Sequence, residues 1–362
     1  MQINPDMLII ARGALGLTQK ELSEATGISQ GQISKLENGL QLELSDETVA
    51  VLAEVLEVLP SFFRRTDSRR SLPISMYRQQ KSMGKKQGAQ LESIFNKRKM
   101  DLSRLFQSVD ISPACEIPDL DPDLVGGPEE AARQARAALR IPMGPIRDLI
   151  PHLEDAGIVI IPMDLPPKID GLSCEGMDGS PPLIFFNRNM PFDRVIFTLA
   201  HEFGHLCMHR IPSEFMEPEA DAFAAEFLMP EAIIRSELHA LNLRKLARLK
   251  MKWRVSMQSL LKRAKTLRTM TPGQQSYLWR KLSKNGYRRN EPVELEPSEP
   301  TLLQVLLAVY FEELDYTVEQ LAQALDRPVD ILVRDFKLPM VAVEGGGNAD
   351  PQANKPSLRL LR

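Results

Sequence analysis

The amino-acid sequence predicts an α+β fold that is mainly helical and contains one small β-sheet. Apolar residues recur at helical spacing through most of the chain, whereas only the runs 157–162, 170–175 and 183–187 have the composition of strands. The chain has 362 residues, which is enough for two or three domains, and its 43% hydrophobic and 26% charged residues are typical of soluble globular proteins. We therefore expect an N-terminal helical bundle, a central domain built around the sheet and a helical C-terminal region.

Residues 1–65 predict a helix-turn-helix bundle. Thr18 and Glu21 form a capping box for one short helix, and after a turn at Gly27 a second helix is capped by Ser29 and ended by Gly39. Polar side chains on and near this second helix could reach base edges in a major groove, although helix-turn-helix shapes also serve as protein-contact modules. The candidate DNA contacts are Gln19, Ser29, Gln30, Gln32, Ser34, Lys35 and Asn38.

A basic connector is predicted at 66–115, with a helix over 85–106. Between Arg64 and Arg104 there are twelve basic residues against three acids.

The central domain is predicted at 116–240. It begins with an acidic segment at 116–130, continues through helices at 128–139 and 145–156, and then enters the three strand-like runs. An edge strand of such a sheet can hold an extended peptide by backbone hydrogen bonds.

A histidine motif directly follows these strands. The run Ala200-His201-Glu202-Phe203-Gly204-His205 lies inside a predicted helix over 193–209 and contains an H-E-x-x-H pattern. Residues four apart share a helix face, so His201 and His205 can present two imidazoles to one zinc ion. Glu202 would then lie beside the ion as the general base for its water. Two histidines on an ordinary amphipathic helix are the plain alternative.

A second helix, predicted at 217–229, offers the remaining groups of a zinc site. Glu217 is the candidate third ligand and Glu219 its runner-up, because helix ends are uncertain in a sequence. Asp221 lies one turn after Glu217, where its carboxylate could accept the free N–H of a zinc-bound imidazole. The pattern as a whole predicts Zn²⁺ as the cofactor, with Mn²⁺ as the alternative.

The C-terminal region is predicted as a basic helical domain at 241–343, followed by a disordered tail at 344–362. Between Leu243 and Asn290 there are fifteen Lys and Arg residues and no acid. A stretch of this kind suits contact with nucleic acid or with an acidic partner. An inter-domain face docked on the acidic segment 116–130 is the competing interpretation.

Composition excludes several classes of protein. No run of eighteen apolar residues exists, so no membrane partner is expected, and the N-terminus lacks the pattern of a secretory signal. The three cysteines, Cys115, Cys174 and Cys207, are too few and too scattered for a disulfide framework. We therefore expect a cytoplasmic protein.

Two resemblances follow from these motifs. Residues 7–63, with Leu17-Thr18-Gln19 and Lys35-Leu36-Glu37-Asn38-Gly39, resemble the Xre/Cro phage-repressor helix-turn-helix domain. Residues 128–235 resemble the ImmA/IrrE metallopeptidase family, which implies a zincin-like domain. The features that carry this second resemblance are the run 153–159, the H-E-x-x-H motif with His209, and the run from Glu217 to Pro230 that ends in Phe-Leu-Met-Pro.

The second family implies zinc ligands at His201, His205 and a downstream glutamate, with Glu202 catalytic. His209 matches a recurrent family histidine, for which we expect a structural hydrogen bond and not ligation. Members of the family cleave helix-turn-helix repressors, which implies a repressor-type protein substrate, with this chain itself as one candidate.

The sequence therefore predicts a regulator that binds operator DNA as a homodimer and carries a zinc endopeptidase domain. Two other functions stay open at this point. One is a transcription factor without proteolytic activity, whose metal site is structural or sensory. The other is an antitoxin-like regulator.

Overall fold

The structure is a computed structural model that describes residues 1–70, 84–166, 169–176, 180–211, 213–338 and 357–360. It is mainly helical with a three-stranded sheet, which confirms the predicted fold class. The N-terminal helices are α1 (Pro5–Ala14), α2 (Gln19–Thr26), α3 (Gln30–Glu37), α4 (Asp46–Val55), a 3₁₀ helix (Pro60–Arg64) and α5 (Lys85–Leu105). The central elements are β1 (Val109–Ser112), α6 (Pro122–Val125), α7 (Pro128–Ala138), α8 (Ile150–Asp155), β2 (Val159–Met163), β3 (Gly171–Cys174), β4 (Leu183–Asn187), α9 (Phe192–Met208) and α10 (Met216–Leu228). The C-terminal elements are α11 (Glu231–Ile234), a 3₁₀ helix (Arg235–Glu237), α12 (Leu243–Trp253), α13 (Met257–Thr266), α14 (Pro272–Lys284), α15 (Leu302–Glu312), α16 (Val318–Ala324), α17 (Val329–Phe336) and β5 (Ser357–Leu360).

The N-terminal bundle has the caps that its sequence predicts. The Thr18 side chain accepts from the Glu21 backbone N–H and the Glu21 carboxylate accepts from the Thr18 N–H, which starts α2. Gly27 then adopts a left-handed backbone conformation that ends α2, and Ser29 caps α3. Leu22 and Ile33 lie in the bundle's own buried core.

The three-stranded sheet forms the middle layer of the central region. Its order is β2-β4-β3, with β2 parallel and β3 antiparallel to β4. One face of the sheet, including Ile160 and Ile184, shares a core with α9. The other face, including Ile161 and Phe185, shares a core with α5 and α15–α17. Both faces are covered, which is why these strands are mostly apolar and do not alternate regularly with polar residues.

The C-terminal helices divide between those two cores. Leu246, Trp253 and Leu260 of α12 and α13 are buried with α9, whereas Leu306 and Leu332 of α15 and α17 are buried on the opposite side of the sheet. The sequence predicted one helical domain at 241–343. The packing differs from that prediction because each helix buries its apolar face against whichever element the fold brings near, however distant in sequence.

The predicted disordered tail also differs in part. Residues 357–360 form β5, which pairs antiparallel with β1 from Val109↔Leu360 to Ser112↔Ser357, while the rest of 344–362 lies outside the described residues. Within the part of the chain that the structure describes, no helix is long and apolar enough to cross a membrane.

Candidate metal centre

The centre begins with the two histidines of helix α9. His201 and His205 are one turn apart, and their Nε2 atoms lie 3.1 Å from each other. Both Nε2 atoms therefore converge on one point from the same helix face. His205 is buried, whereas His201 is partly accessible from a cleft.

Helix α10 brings the third candidate ligand to this point. The Glu217 carboxylate places Oε2 3.6 Å from His201 Nε2 and Oε1 3.5 Å from His205 Nε2. One ligand atom from each of the three residues fits within 4.8 Å of the others. Burial opposes ionisation of Glu217, but hydrogen bonds to both histidines outweigh it and hold the pKa of this carboxyl below its usual range.

Glu219, the runner-up ligand in the sequence, is outside this group. Its Oε2 lies 3.0 Å from His209 Nε2 instead. Two residues along a helix correspond to a rotation of about 200°, so Glu219 faces away from Glu217, whereas Asp221, four residues on, shares its face.

Asp221, the candidate partner of a ligating imidazole, lies beside His201. Its Oδ1 lies 3.1 Å from His201 Nδ1, on the side of the ring away from Glu217. A carboxylate can only accept, so in the neutral ring that metal binding requires, His201 carries its proton on Nδ1 and offers the Nε2 lone pair to the metal. Burial disfavours the charged ring, but its hydrogen bonds to Asp221 and Glu217 prevail and raise the pKa of His201 to about 10, so a metal would bind by displacing the proton on Nε2.

The outer nitrogen of His205 is held by a second histidine. His205 Nδ1 lies 2.8 Å from His209 Nδ1, and His209 Nε2 lies 3.0 Å from the Glu219 carboxylate. Burial and the neighbouring His205 lower the pKa of His209 to about 4, so its ring is neutral. A neutral His209 that donates from Nε2 to Glu219 must accept at Nδ1, and His205 must then donate from Nδ1. The chain of three side chains therefore leaves the Nε2 lone pair of His205 for a metal. His209 thus makes the structural hydrogen bond expected of it.

Glu202 is buried, with 4% of its surface exposed, and is not one of the three converging residues. Its Oε2 accepts a hydrogen bond of 2.7 Å from Ser173 Oγ on β3. Sequence reasoning missed Ser173, although strand alternation places it on the same face as Gly171. A Cβ on Gly171 would lie 2.6 Å from Thr198 Cγ2, so glycine is what lets β3 approach α9 closely enough for this bond.

Gly204 has a matching role between the two helices of the centre. A Cβ at this position would lie 2.9 Å from Cδ1 of Phe223 on α10. The absence of a side chain inside the motif therefore sets the distance at which α10, and with it Glu217, packs against the histidines.

The centre opens into a cleft of about 1120 Å³. Its walls include the start of β3, the end of β4 and the segment 288–299. Among the residues that the structure describes, strand β3 pairs with β4 alone, so it is an edge strand of this sheet beside the centre. Two imidazoles and one carboxylate form the donor set of a catalytic zinc site that keeps a position for water, so the residues fit a zinc ion.

The candidate DNA contacts lie mostly on the surface of the N-terminal bundle. Ser29, Gln30, Lys35 and Asn38 are exposed, and Gln32 and Ser34 are half-buried. Gln19 is held in place, because its amide donates to Glu37 Oε2 at 2.8 Å.

Two family comparisons agree with these two regions. Residues 8–63 match a family described as Helix-turn-helix, and residues 153–265 match a peptidase family described as IrrE N-terminal-like domain. No curated protein matches the chain. The matches confirm the predicted combination: a helix-turn-helix segment of the DNA-binding type and an IrrE-like segment of a peptidase family lie in one chain. The second match extends to residue 265, past the predicted domain limit at 240, which agrees with α12 and α13 sharing the core of α9.

Proposed function

We propose that this protein is a cytoplasmic DNA-bound regulator whose IrrE-like domain is a zinc-dependent endopeptidase. Its substrate would be a repressor-type protein, or a copy of this chain, and cleavage would derepress genes. The observation that carries the proposal is the position of Glu202, which is buried beside the three converging residues without belonging to them. A metal site kept only for structure has no use for a second, unligated carboxylate at this place.

The residues of the cleft divide the chemistry between them. A bound Zn²⁺ would act as a Lewis acid and lower the pKa of water, with Mn²⁺ as the alternative ion. Glu202 takes the proton of the attacking water and passes it to the leaving amine, and Ser173 keeps its carboxylate oriented. Asp221 and His209 hold the two imidazoles in the tautomer that ligation needs.

The substrate would lie in an extended conformation along β3. This strand is an edge of the sheet, and its first residue, Gly171, lines the cleft together with Glu202 and Glu217. Backbone hydrogen bonds to an edge strand hold a peptide of almost any sequence, so specificity would come from the cleft walls and from the docking of the folded substrate.

The N-terminal bundle would bind operator DNA as a homodimer on an inverted repeat. A single small helix-turn-helix makes few base contacts, and two-fold symmetry doubles them. Gln30 and Lys35, both exposed on α3, would be among the side chains that reach bases.

Cleavage is tested with the full chain loaded with zinc or manganese. It is incubated alone and with helix-turn-helix repressors encoded beside it, and products are identified by mass spectrometry. Wild type should cut one of these proteins. Glu202→Gln should retain one metal per chain but cut nothing, because an amide cannot accept the proton.

His201→Ala is the matched variant that should lose both the metal and cleavage. Cleavage by Glu202→Gln at the wild-type rate would show that Glu202 is not the base. A wild-type protein that binds metal and cuts none of these substrates would favour the structural or sensory metal site.

A further inference from the structure

The C-terminal helices α15–α17 repeat the arrangement of α1–α3. Thr317 starts α16 with a capping box to Gln320, just as Thr18 starts α2 with a capping box to Glu21. Helix α17 has the same length as α3 and begins at the equivalent position. The same number of residues separates every such pair, so no insertion interrupts the correspondence.

The bends of the two units also correspond. Gly16 and Gly27 have φ values of 70° and 73°, and at the equivalent positions Asp315 and Asp326 both have φ of 53°. Aspartate is one of the few non-glycine residues that tolerates this left-handed conformation. Buried residues coincide as well: Leu22 and Ile33 of the first unit are matched by Leu321 and Leu332 of the second, all with no exposed surface. The second unit is therefore a helix-turn-helix in its backbone.

Its second helix, however, has a different outer face. The positions of Gln30, Gln32 and Ser34 are taken by the apolar residues Val329, Ile331 and Val333. Val329 and Val333 are partly buried against the core under the sheet, and Ile331 is buried. A helix whose outer face is packed inside the protein cannot enter a major groove.

The turn of the second unit contacts the DNA-binding bundle instead. The Asp326 carboxylate accepts hydrogen bonds of 2.7 Å from Arg65 Nε and from Arg104 Nη1. Its backbone carbonyl accepts from the Leu59 N–H at 2.9 Å. Arg65 is at the end of the N-terminal bundle and is 4% exposed. At the exposed edge of this contact, Arg334 Nη2 lies 2.7 Å from Glu57 Oε2.

We propose that α15–α17 is a second helix-turn-helix unit that binds protein, and that its partner is the DNA-binding bundle of the same chain. The unit is seated on the sheet face opposite α9 and receives the end of the bundle at Asp326. Together with α5, which packs against α1, it holds the DNA-reading helix in a set orientation relative to the metal centre. This role does not depend on proteolytic activity.

Hydrogen exchange of the full chain tests the contact between α15–α17 and the N-terminal bundle, with Asp326→Asn as the variant. Asparagine keeps the left-handed backbone but removes the carboxylate to which buried Arg65 donates. Exchange of the Leu59 amide, followed by mass spectrometry, should accelerate by about tenfold or more, since one unpaired buried charge opens the contact. Exchange within α3 should stay unchanged.

Asp315→Asn is the matched control, because it makes the same substitution at an exposed left-handed aspartate of the same unit. It should leave the Leu59 amide at the wild-type rate. Arg65→Gln breaks the same contact from the other side and should reproduce the effect of Asp326→Asn. Equal exchange in the Asp326 and Asp315 variants would overturn the proposal.

A second experiment separates docking from DNA binding. Lys35 and Arg334 occupy equivalent positions in the two units, and both are exposed. On random-sequence duplex DNA, Lys35→Gln should weaken binding and reduce its dependence on salt, whereas Arg334→Gln should change neither. Equal weakening by the two variants would make the second unit a DNA-binding element and overturn the proposal.

Discussion

Replacing His209 should weaken zinc binding even though His209 is not a candidate ligand. In His209→Leu the Nδ1–H of His205 loses its acceptor inside the protein, where the side chains of both histidines are 4% exposed. An unsatisfied buried donor costs about 1–3 kcal/mol. His205 can escape this cost by moving its proton to Nε2, but that nitrogen then has no lone pair for the metal. In both cases the free-energy penalty falls on the zinc-bound state. We therefore expect the affinity for zinc to fall by about 10–100-fold.

Competition against a chromophoric chelator measures this affinity without any substrate. His209→Gln is the decisive companion variant, because its amide oxygen can accept from His205 while its NH₂ group donates to Glu219. We expect it to recover most of the affinity. His239→Leu, at an exposed histidine far from the motif in sequence, should bind zinc as wild type does. If His209→Leu is folded and binds zinc as tightly as wild type, the hydrogen-bonded chain does not set the tautomer of His205.

Three further outcomes are expected. Gly204→Ala should lower the melting temperature and the zinc affinity, because its Cβ would lie 2.9 Å from Phe223 and overpacking costs about 1–3 kcal/mol. The control is Gly88→Ala, which lies in a helix with nothing within 4 Å and should be neutral or stabilising. Equal effects of the two substitutions would contradict the packing argument. Burial and the nearby Arg327 lower the pKa of Lys97 from 10.5 to about 7, so the unfolded chain binds the extra proton between these values and wild-type stability should rise across that pH window. In denaturant titrations, Lys97→Met should be more stable than wild type near pH 7, and its stability should not rise with pH across that window. A variant with the wild-type pH profile would contradict the assignment of the rise to Lys97. Neutralising exposed Arg244 and Arg248 of α12 should flatten the salt dependence of binding to random-sequence DNA by about 0.9 per lost phosphate contact on a log–log plot, whereas an unchanged slope would leave the stretch as a protein-facing surface.

The last of these predictions depends on which basic residues are free. Lys250 of the acid-free stretch is buried in ion pairs with Asp193 and Glu291, and Arg263 is buried against Glu226. These acids lie outside the segment 116–130 that the sequence offered as a docking partner. Part of the apparent surplus of positive charge is therefore internal to the fold, and the exposed basic residues of the stretch, among them Arg244 and Arg248 of α12, remain candidates for DNA contact.

The sequence by itself determined the features that depend on neighbours along the chain. Helical periodicity placed His201 and His205 on one face, and the same periodicity placed Asp221 in line with Glu217, so the face that each helix turns to the centre follows from local spacing. The capping box at Thr18 and the left-handed glycine at residue 27 were equally readable, because a cap is satisfied within one turn of its own helix.

Only the tertiary structure decided the contacts between distant segments. The approach of Ser173 to Glu202 requires a strand to cross beside a helix some thirty residues later, and the pairing of His209 with Glu219 requires two helices to meet at a set angle. The dock at Asp326 joins the two ends of the chain through a buried arginine. Such contacts are selected by which apolar faces pack together in three dimensions, and a linear pattern of residues carries little information about that choice.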